Sequence, residues 1–293
     1  MRLLVMGGAG MLGHKLCQVA GKSMEVHATF CHQPSGNMSM FLPAERMHGS
    51  VFAERFETVE AALDQVKPDA VVNCIGVVKQ REAGKDPITS ITVNALFPHL
   101  LARACQKRDI RIITISSDCV FSGRKGGYKE EEPSDGEDLY GRTKALGEVM
   151  GSHCLTLRTS MIGRELSGQQ GLVEWLLSQA GQCVKGYRHA VFSGLTTLEL
   201  SRVIVKIMEH EPLLSGLYHV SSAPITKYDL LHLINERYAL NISIEPDDQS
   251  ACDRSLNGSH FRETTGYVVP PWPDLIREMY EDPTPYEEIR AKK

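Results

Sequence analysis

Short, wholly apolar runs alternate with stretches whose apolar positions recur at helical spacing through the first half of the chain. Leu3-Leu4-Val5-Met6 is such a run, the pattern of a parallel strand covered on both faces. The segment through Leu16 and Val19 behind it reads as a helix. Glu25 to Phe30 predicts a second strand, and Phe56 to Val66 predicts a helix with Val59, Leu63 and Val66 on one face. Ala70 to Cys74 reads as a strand and Ser90 to Gln106 as a helix, with a kink expected at Pro98, which cannot donate within the helix. Arg111 to Ser116 follows as a buried β-branched strand, then an irregular stretch to Asp138, a helix starting near Tyr140, and a strand over Cys154 to Arg158. Such βα alternation predicts an α/β fold: a parallel, doubly wound sheet with right-handed crossovers.

Past Gly163 the pattern loosens. Helices are expected near Leu172 to Gln179, Leu198 to Met208 and Lys227 to Tyr238, with short strands near Tyr218 to Val220 and Ile242 to Ile244. Pro270-Pro271-Trp272-Pro273 punctuates the region. The chain therefore divides into residues 1–163 and a smaller mixed α/β lobe, residues 164–293, which sits over the carboxyl ends of the sheet. The boundary is soft, because the chain is expected to cross back.

Composition narrows the class. With 293 residues, 42% hydrophobic and 23% charged, the chain can bury a large core. Its net charge of -4 offers no electrostatic reason to bind nucleic acid or an anionic membrane. No stretch approaches the roughly 18 apolar residues of a membrane span, and too few apolar residues separate Arg2 from Gly7 for a signal-peptide core, so a soluble, cytoplasmic protein is expected. Cys17, Cys31, Cys74, Cys105, Cys119, Cys154, Cys183 and Cys252 include no Cys-x-x-Cys pair and read as reduced thiols; no metal-ligand spacing is present among cysteines or histidines. Glu130-Glu131-Glu132 reads as a solvated loop.

Two motifs carry chemistry. Gly7-Gly8-Ala9-Gly10-Met11-Leu12-Gly13 stands directly between the first strand and the first helix. Gly7, Gly10 and Gly13 permit the turn, the approach of backbone to a pyrophosphate, and close packing of helix on strand, while the helix N-terminus offers free N–H groups. Residues 1–163 thus read as a Rossmann-type dinucleotide-binding domain. In the second motif, Tyr140 and Lys144 stand four apart and share a helix face, and Ser117 lies 23 residues upstream of the tyrosine. A phenol loses its proton near about pH 10, and a neighbouring ammonium is expected to lower that value. Reducing a carbonyl needs hydride at carbon and a proton at oxygen, which Tyr140 can supply while Ser117 hydrogen-bonds the oxygen. A Tyr-x-x-x-Lys pair alone is more often a tyrosine packed on a lysine stem; the glycine turn and the strand before Ser117 shift the reading to an oxidoreductase.

These residues resemble the extended short-chain dehydrogenase/reductases, and within them the dTDP-4-dehydrorhamnose reductase type. The resemblance extends over essentially the whole chain through the glycine turn, Asn73-Cys74-Ile75-Gly76, Val93-Asn94-Ala95, Ser116-Ser117-Asp118-Cys119-Val120-Phe121-Ser122-Gly123, Tyr140 to Lys144, and Leu157-Arg158-Thr159-Ser160. It implies that Ser117 polarises a C4 carbonyl, Tyr140 protonates its oxygen, and Lys144 binds the nicotinamide ribose and assists Tyr140. It also implies that Gly7, Gly10, Met11, Leu12, Gly13, Asn73, Cys74, Ile75 and Gly76 flank the cofactor, and that Asn94 supports Lys144 through water. Asn73 and Gly76 can equally be shaping a turn.

Related 4,6-dehydratases carry Thr-Asp-Glu where this chain has Ser117-Asp118-Cys119, and the reductases usually carry Thr-Asp-Tyr. Cys119 is poorly suited to the elimination, so a reductase is implied; Asp118 and Cys119 become candidate substrate contacts, Asp118 serving equally well as a cap. Gly194-Leu195-Thr196-Thr197, Ser215 to Val220 and Asp253 to Asn257 also look like this group. Lys185-Gly186-Tyr187 and Phe192-Ser193-Gly194 are nearest to the branch thought to reduce UDP-linked 4-keto-6-deoxy-N-acetylhexosamines. Arg254 is a candidate diphosphate partner, the alternative being a surface salt bridge. Residues 26 to 36 contain no acid to hold a ribose 2′-hydroxyl and no arginine to clamp a 2′-phosphate, though His32 can approach one; NADPH is therefore preferred, with NADH allowed. The expected partner is a sugar-nucleotide precursor of polysaccharide, and a homodimer is the assembly considered. A sugar-nucleotide 4-epimerase and a non-catalytic cofactor-binding subunit like that of methionine adenosyltransferase remain as alternatives.

Overall fold

Leu3, Leu4, Val5 and Met6 are all completely buried, as a strand covered on both faces requires. They belong to β1 (Arg2–Met6), an interior strand of a seven-stranded parallel sheet. A computed structural model describes residues 1–34, 36–78 and 82–291. Its first strands continue with β2 (Glu25–Thr29), β3 (Met47–His48), β4 (Ala70–Asn73), β5 (Arg111–Ile115) and β6 (Cys154–Arg158). After β7 (Met161–Ile162), β8 (Cys183–Phe192) and β9 (Leu195–Thr196) leave this sheet, β10 (Gly216–His219) returns to it. The order is β10-β6-β5-β4-β1-β2-β3, so the chain works outward from β1 on one side and then from β4 on the other. The loops leaving β1 and β4 diverge at their carboxyl ends and open a crevice there.

Helices α1 (Met11–Ala20), α2 (Phe56–Val66), α3 (Pro87–Ser90), α4 (Phe97–Gln106), α5 (Leu139–Leu146), α6 (Leu172–Leu177) and α7 (Thr197–His210) follow in chain order. Alternation along each strand divides the packing in two. Leu3, Val5, Leu16 and Ile204 bury together on one face of the sheet, and Leu4, Met6, Leu63 and Phe97 on the other. Where a kink is expected at Pro98, the helix opens into a π-helical turn over Ile91–Leu96, which ends directly before Phe97 and Pro98 start α4. Pro98 cannot donate to the Asn94 carbonyl four residues back. That carbonyl stands against Gly147, where a Cβ would come within 1.9 Å of it.

The last third holds more structure than its sequence pattern predicts. Strands β11 (Ile225–Thr226) and β12 (Ser243–Asp253) flank β8 in a three-stranded sheet, and helices α8 (Lys227–Arg237), α9 (Ser259–Thr265), α10 (Trp272–Tyr280) and α11 (Tyr286–Ala291) complete the chain. Val184 and Ile244 bury only part of the long β8–β12 ribbon, so its polar remainder gave no alternating signal. Ile162, Val173, Phe192, Leu230 and Trp272 form a separate core. The Pro-Pro-Trp-Pro stretch starts α10: Pro271 caps it and Pro273 occupies its first turn, where no N–H is needed. Nor is the acidic loop merely solvated, since Glu130 accepts from the His219 N–H at 2.8 Å and Glu132 pairs with Lys125. Among the described residues no helix is long and apolar enough to cross a membrane.

Candidate active site

The turn after β1 is built by glycines. Gly7 takes φ of +85°, and a Cβ on Gly13 would come within 2.1 Å of the Gly7 carbonyl oxygen, so only glycine lets the first turn of α1 lie against the strand end. Gly10 is the N-cap and brings no side-chain cap; with Met11 and Leu12 it lines a cleft of about 530 Å³. The first-turn N–H groups and the positive end of α1 therefore face this cleft, an arrangement that suits a diphosphate. Gly7 and Gly13 shape the turn from behind and do not line the cleft.

Asn73, Cys74, Ile75 and Gly76, leaving β4, form the next part of the wall. Asn73 Oδ1 accepts from the Ile75 N–H at 3.1 Å, which closes the turn. Asn94 holds the segment beyond it: its Oδ1 accepts from the Val77 N–H and its Nδ2 donates to the Val77 carbonyl, both at 2.9 Å. The Asn94 side chain thus holds the cofactor-side loop directly, and its Nδ2 also lies 3.5 Å from Thr143 Oγ1, the residue before Lys144. Burial pushes the Cys74 thiol up to about 12, with the Lys144 charge acting the other way, so Cys74 is a packing residue at neutral pH.

Ser117, Tyr140 and Lys144 meet in this same cleft. Ser117 directly follows the segment extending β5 and caps a short helical turn, accepting from the Cys119 N–H at 3.1 Å. Asp138 caps α5 by accepting from the Gly141 N–H at 2.7 Å, which starts the helix just before Tyr140 and puts Lys144 one turn further along. Lys144 Nζ donates to the Ile115 carbonyl at 2.7 Å. Below them Glu148 accepts from Ser116 Oγ and from both Nε and Nη2 of Arg158, each at 2.7 Å, tying β5 and β6 to the segment after α5.

The electrostatics depart from the sequence expectation. The Tyr140 phenol is raised, not lowered: burial and the neighbouring Cys119 thiol push it up, Asp118 and Asp138 add to this, and a hydrogen bond with Ser117 opposes them. Lys144 is itself depressed to about 8 by burial, against the pull of Glu148 and Cys74. The enclosure that places the amine one turn from the phenol also penalises every charge in the site.

A pH test follows from Lys144. Its ammonium is lost as pH rises through about 8, so kcat/KM for the cofactor, which reports the free protein, is expected to fall above that pH. Stability moves the other way: between about 8 and the ordinary 10.5 the unfolded chain binds more protons at this lysine, so its contribution to native stability rises with pH. A pH–rate profile beside thermal melts at the same pH values checks both. A flat profile from pH 7 to about 9.5, which spans the depressed value and stops short of an ordinary lysine, would remove Lys144's charge from the chemistry.

Beside Ser117 the cleft is lined by Asp118, Cys119 and Arg254. Burial raises the Asp118 carboxyl, while Lys227 and Arg254 pull it down. Arg254 is not a surface ion pair: its Nε donates to the Phe121 carbonyl at 2.9 Å and its Nη1 lies 3.7 Å from Cys119 Sγ. Lys227 at the start of α8, 4.3 Å over the Phe192 ring, lines the same cleft. Sequence reading missed it, because nothing near it in the chain marks it.

His32 does not line the cleft; it is exposed beyond β2, with its ring edge toward Phe52 at 6.3 Å. Arg55 lies over the same Phe52 ring, 3.8 Å from its centroid. The fold thus brings to this corner an arginine that residues 26 to 36 lack, although Ser35 of that window falls outside the described residues.

The family model described as "RmlD substrate binding domain" matches residues 1–283. The spore coat polysaccharide biosynthesis protein SpsK of Bacillus subtilis is 27% identical over 252 residues, covering 83% of this chain and 81% of the relative. A probable dTDP-4,6-dihydroxy-2-methyloxan-3-one 4-ketoreductase of Streptomyces antibioticus is 29% identical over 250 residues, covering 78% and 75%. The crystal structure of dTDP-4-dehydrorhamnose reductase from Bacillus anthracis in complex with NADP superposes with a TM-score of 0.79 at 19% identity, covering 96% of this chain and 99% of that one. The chain belongs to the RmlD substrate binding domain family, of the extended short-chain dehydrogenase/reductase type, and is an NAD(P)-dependent oxidoreductase.

Proposed function

We propose that the protein reduces the C4 carbonyl of a nucleotide-linked 4-keto-6-deoxy sugar, with NADPH preferred, in the making of a polysaccharide precursor. One observation carries this reading: the Ser117 hydroxyl, the Tyr140 phenol and the Lys144 ammonium converge on the cleft that the glycine turn enters. The names of the polysaccharide-biosynthesis and 4-ketoreductase relatives support the pathway and the reaction. The Streptomyces antibioticus relative favours dTDP as the nucleotide and the Lys185 and Phe192 segments favour UDP, a choice the experiment makes.

Bound nicotinamide supplies the hydride. Ser117 holds the carbonyl oxygen by hydrogen bonding as negative charge develops on it, and Tyr140 then gives that oxygen its proton. A raised phenol suits this direction of reaction. It stays protonated at neutral pH and so holds the proton that the carbonyl oxygen takes up as negative charge develops there. In this reading Lys144 holds the ribose and fixes the Tyr140 face of the cleft, while Met11, Leu12 and the Asn73–Gly76 turn flank the dinucleotide. Asp118 and Cys119 border the sugar. Arg254 and Lys227 offer the diphosphate a fork and a point charge. The absence of an acid between residues 26 and 36, with Arg55 and His32 gathered around Phe52, supports NADPH over NADH.

The test follows nicotinamide absorbance with NADPH and NADH while dTDP- and UDP-linked 4-keto-6-deoxy sugars are offered in parallel. Oxidation of NADPH with at least one of them is expected. Sugar interconversion on retained NAD without net consumption would replace the reading by a 4-epimerase. Cofactor binding with no turnover of any sugar, and a stoichiometric enzyme partner in a pull-down, would replace it by a regulatory subunit.

A further inference from the structure

Two walls of the cofactor side of the cleft lie far apart in the chain. One is the turn around Met11 and Leu12, leading into α1. The other is residues 165–171, from which Glu165, Gln170 and Gly171 line the cleft. They come together where Gly171 faces Met11: a Cβ there would lie 3.5 Å from Met11 Sδ. The 165–171 stretch forms no helix or strand. Its internal shape comes from the Glu165 carboxylate, which accepts from the N–H groups of Gln170 and Gly171 at 2.9 and 3.0 Å. That fold-back leaves carbonyl groups needing partners.

The partners come from more than a hundred residues away. In α11, Arg290 Nη1 donates to the Glu165 carbonyl at 3.0 Å and Nη2 to the Gly168 carbonyl at 2.8 Å. Its guanidinium also lies 3.3 Å from Glu174, a buried carboxylate that in turn accepts from Arg164 and from the Glu165 N–H. The same C-terminal segment grips the other wall. Lys15 Nζ pairs with Asp282 at 2.6 Å with both side chains buried, and also donates to Thr284 at 3.1 Å. Tyr286 OH meets His14 Nε2 at 2.9 Å, while His14 Nδ1 meets the carbonyl of Gly10, the N-cap of α1, at 2.8 Å.

We infer that residues 282–291 act as a brace that sets the spacing between the glycine turn and the 165–171 stretch, with Arg290 a positioning residue for the dinucleotide. The reasoning rests on the cofactor reading of the cleft. One segment bonded to both walls restricts their freedom before the ligand arrives, so less ordering is left to oppose binding. Arginine is needed because a planar fork reaches two carbonyls at once, which a lysine ammonium on its single stem does not reproduce.

The experiment compares the full chain with R290A and R290K. Affinity for NADPH and NADH is read by titration calorimetry, the 165–171 amides by hydrogen exchange, and stability by thermal melting. For R290A the cofactor Kd is expected to rise about tenfold, as when the competent arrangement falls to about a tenth of the population. Exchange at Gln170 and Gly171 should accelerate, with kcat at saturating cofactor little changed. R290K should fall between the two. A lower melting temperature with unchanged Kd and unchanged exchange in both variants would make Arg290 structural only and overturn the brace. If the unaltered protein binds neither nucleotide, the cofactor reading itself fails and the brace with it.

Discussion

Tyr140→Phe is expected to lower kcat by at least about 100-fold, the usual scale for loss of a general acid, while cofactor affinity stays unchanged. The substitution removes one oxygen and keeps the ring, so the packing of α5 survives. Ser117 is not left without a partner, because its hydroxyl already reaches Asp118 Oδ1 at 3.2 Å. Lys144, the other half of the pair, is turned onto the Ile115 carbonyl. Single-turnover reduction with prebound NADPH, beside a calorimetric cofactor Kd, separates the chemical step from binding. Turnover within a few-fold of the unaltered protein would end the assignment of Tyr140.

Gly141→Ala, one residue along, is expected to cost as much through geometry alone. A Cβ at Gly141 would stand 2.1 Å from the Cys119 carbonyl oxygen and 3.1 Å from its carbon, both backbone atoms that no side-chain rotation can clear. Either α5 moves off the Ser117–Cys119 segment or that segment moves off α5. In both cases the phenol and the serine hydroxyl separate, and misplacement by about 1 Å costs about 100-fold in rate. The melting temperature should fall too, since overpacking a close backbone contact typically costs about 1–3 kcal/mol. Gly147 makes a comparable approach to Asn94 at the other end of the helix, so α5 is seated at both ends by missing side chains. Full activity in Gly141→Ala would mean that this contact does not position Tyr140.

Legibility differed along the chain for physical reasons. Strands buried on both faces declare themselves: apart from Thr114, Thr156 and the end residues Arg2, Asn73, Arg111 and Arg158, β1, β4, β5 and β6 are apolar, and the predicted spans match them within a residue or two. The glycine turn and the Tyr140–Lys144 pair are local, written within seven and five residues, so spacing alone placed them. The β8–β12 ribbon, covered on only part of its length, carries no such mark, and the helix starting at Trp272 hides behind prolines that usually end structure. The local rule that a nearby ammonium acidifies a phenol failed for another reason. It left out burial, and in the folded site burial dominates both groups.

What the sequence by itself determined is the doubly wound parallel sheet, the nucleotide turn and the three residue types needed to reduce a carbonyl, because each depends on periodicity or on neighbours within a turn or two. Only the tertiary structure decided which distant groups join them: Lys227 and Arg254 around Asp118, Arg55 beside the exposed His32 corner, Asn94 on Val77, and Arg290 on the 165–171 wall. Those contacts span separations along the chain over which composition and spacing carry no information. They arise where crossovers and the returning C-terminal helices bring side chains to one crevice, and there the balance between desolvation and pairing sets the charge of each group.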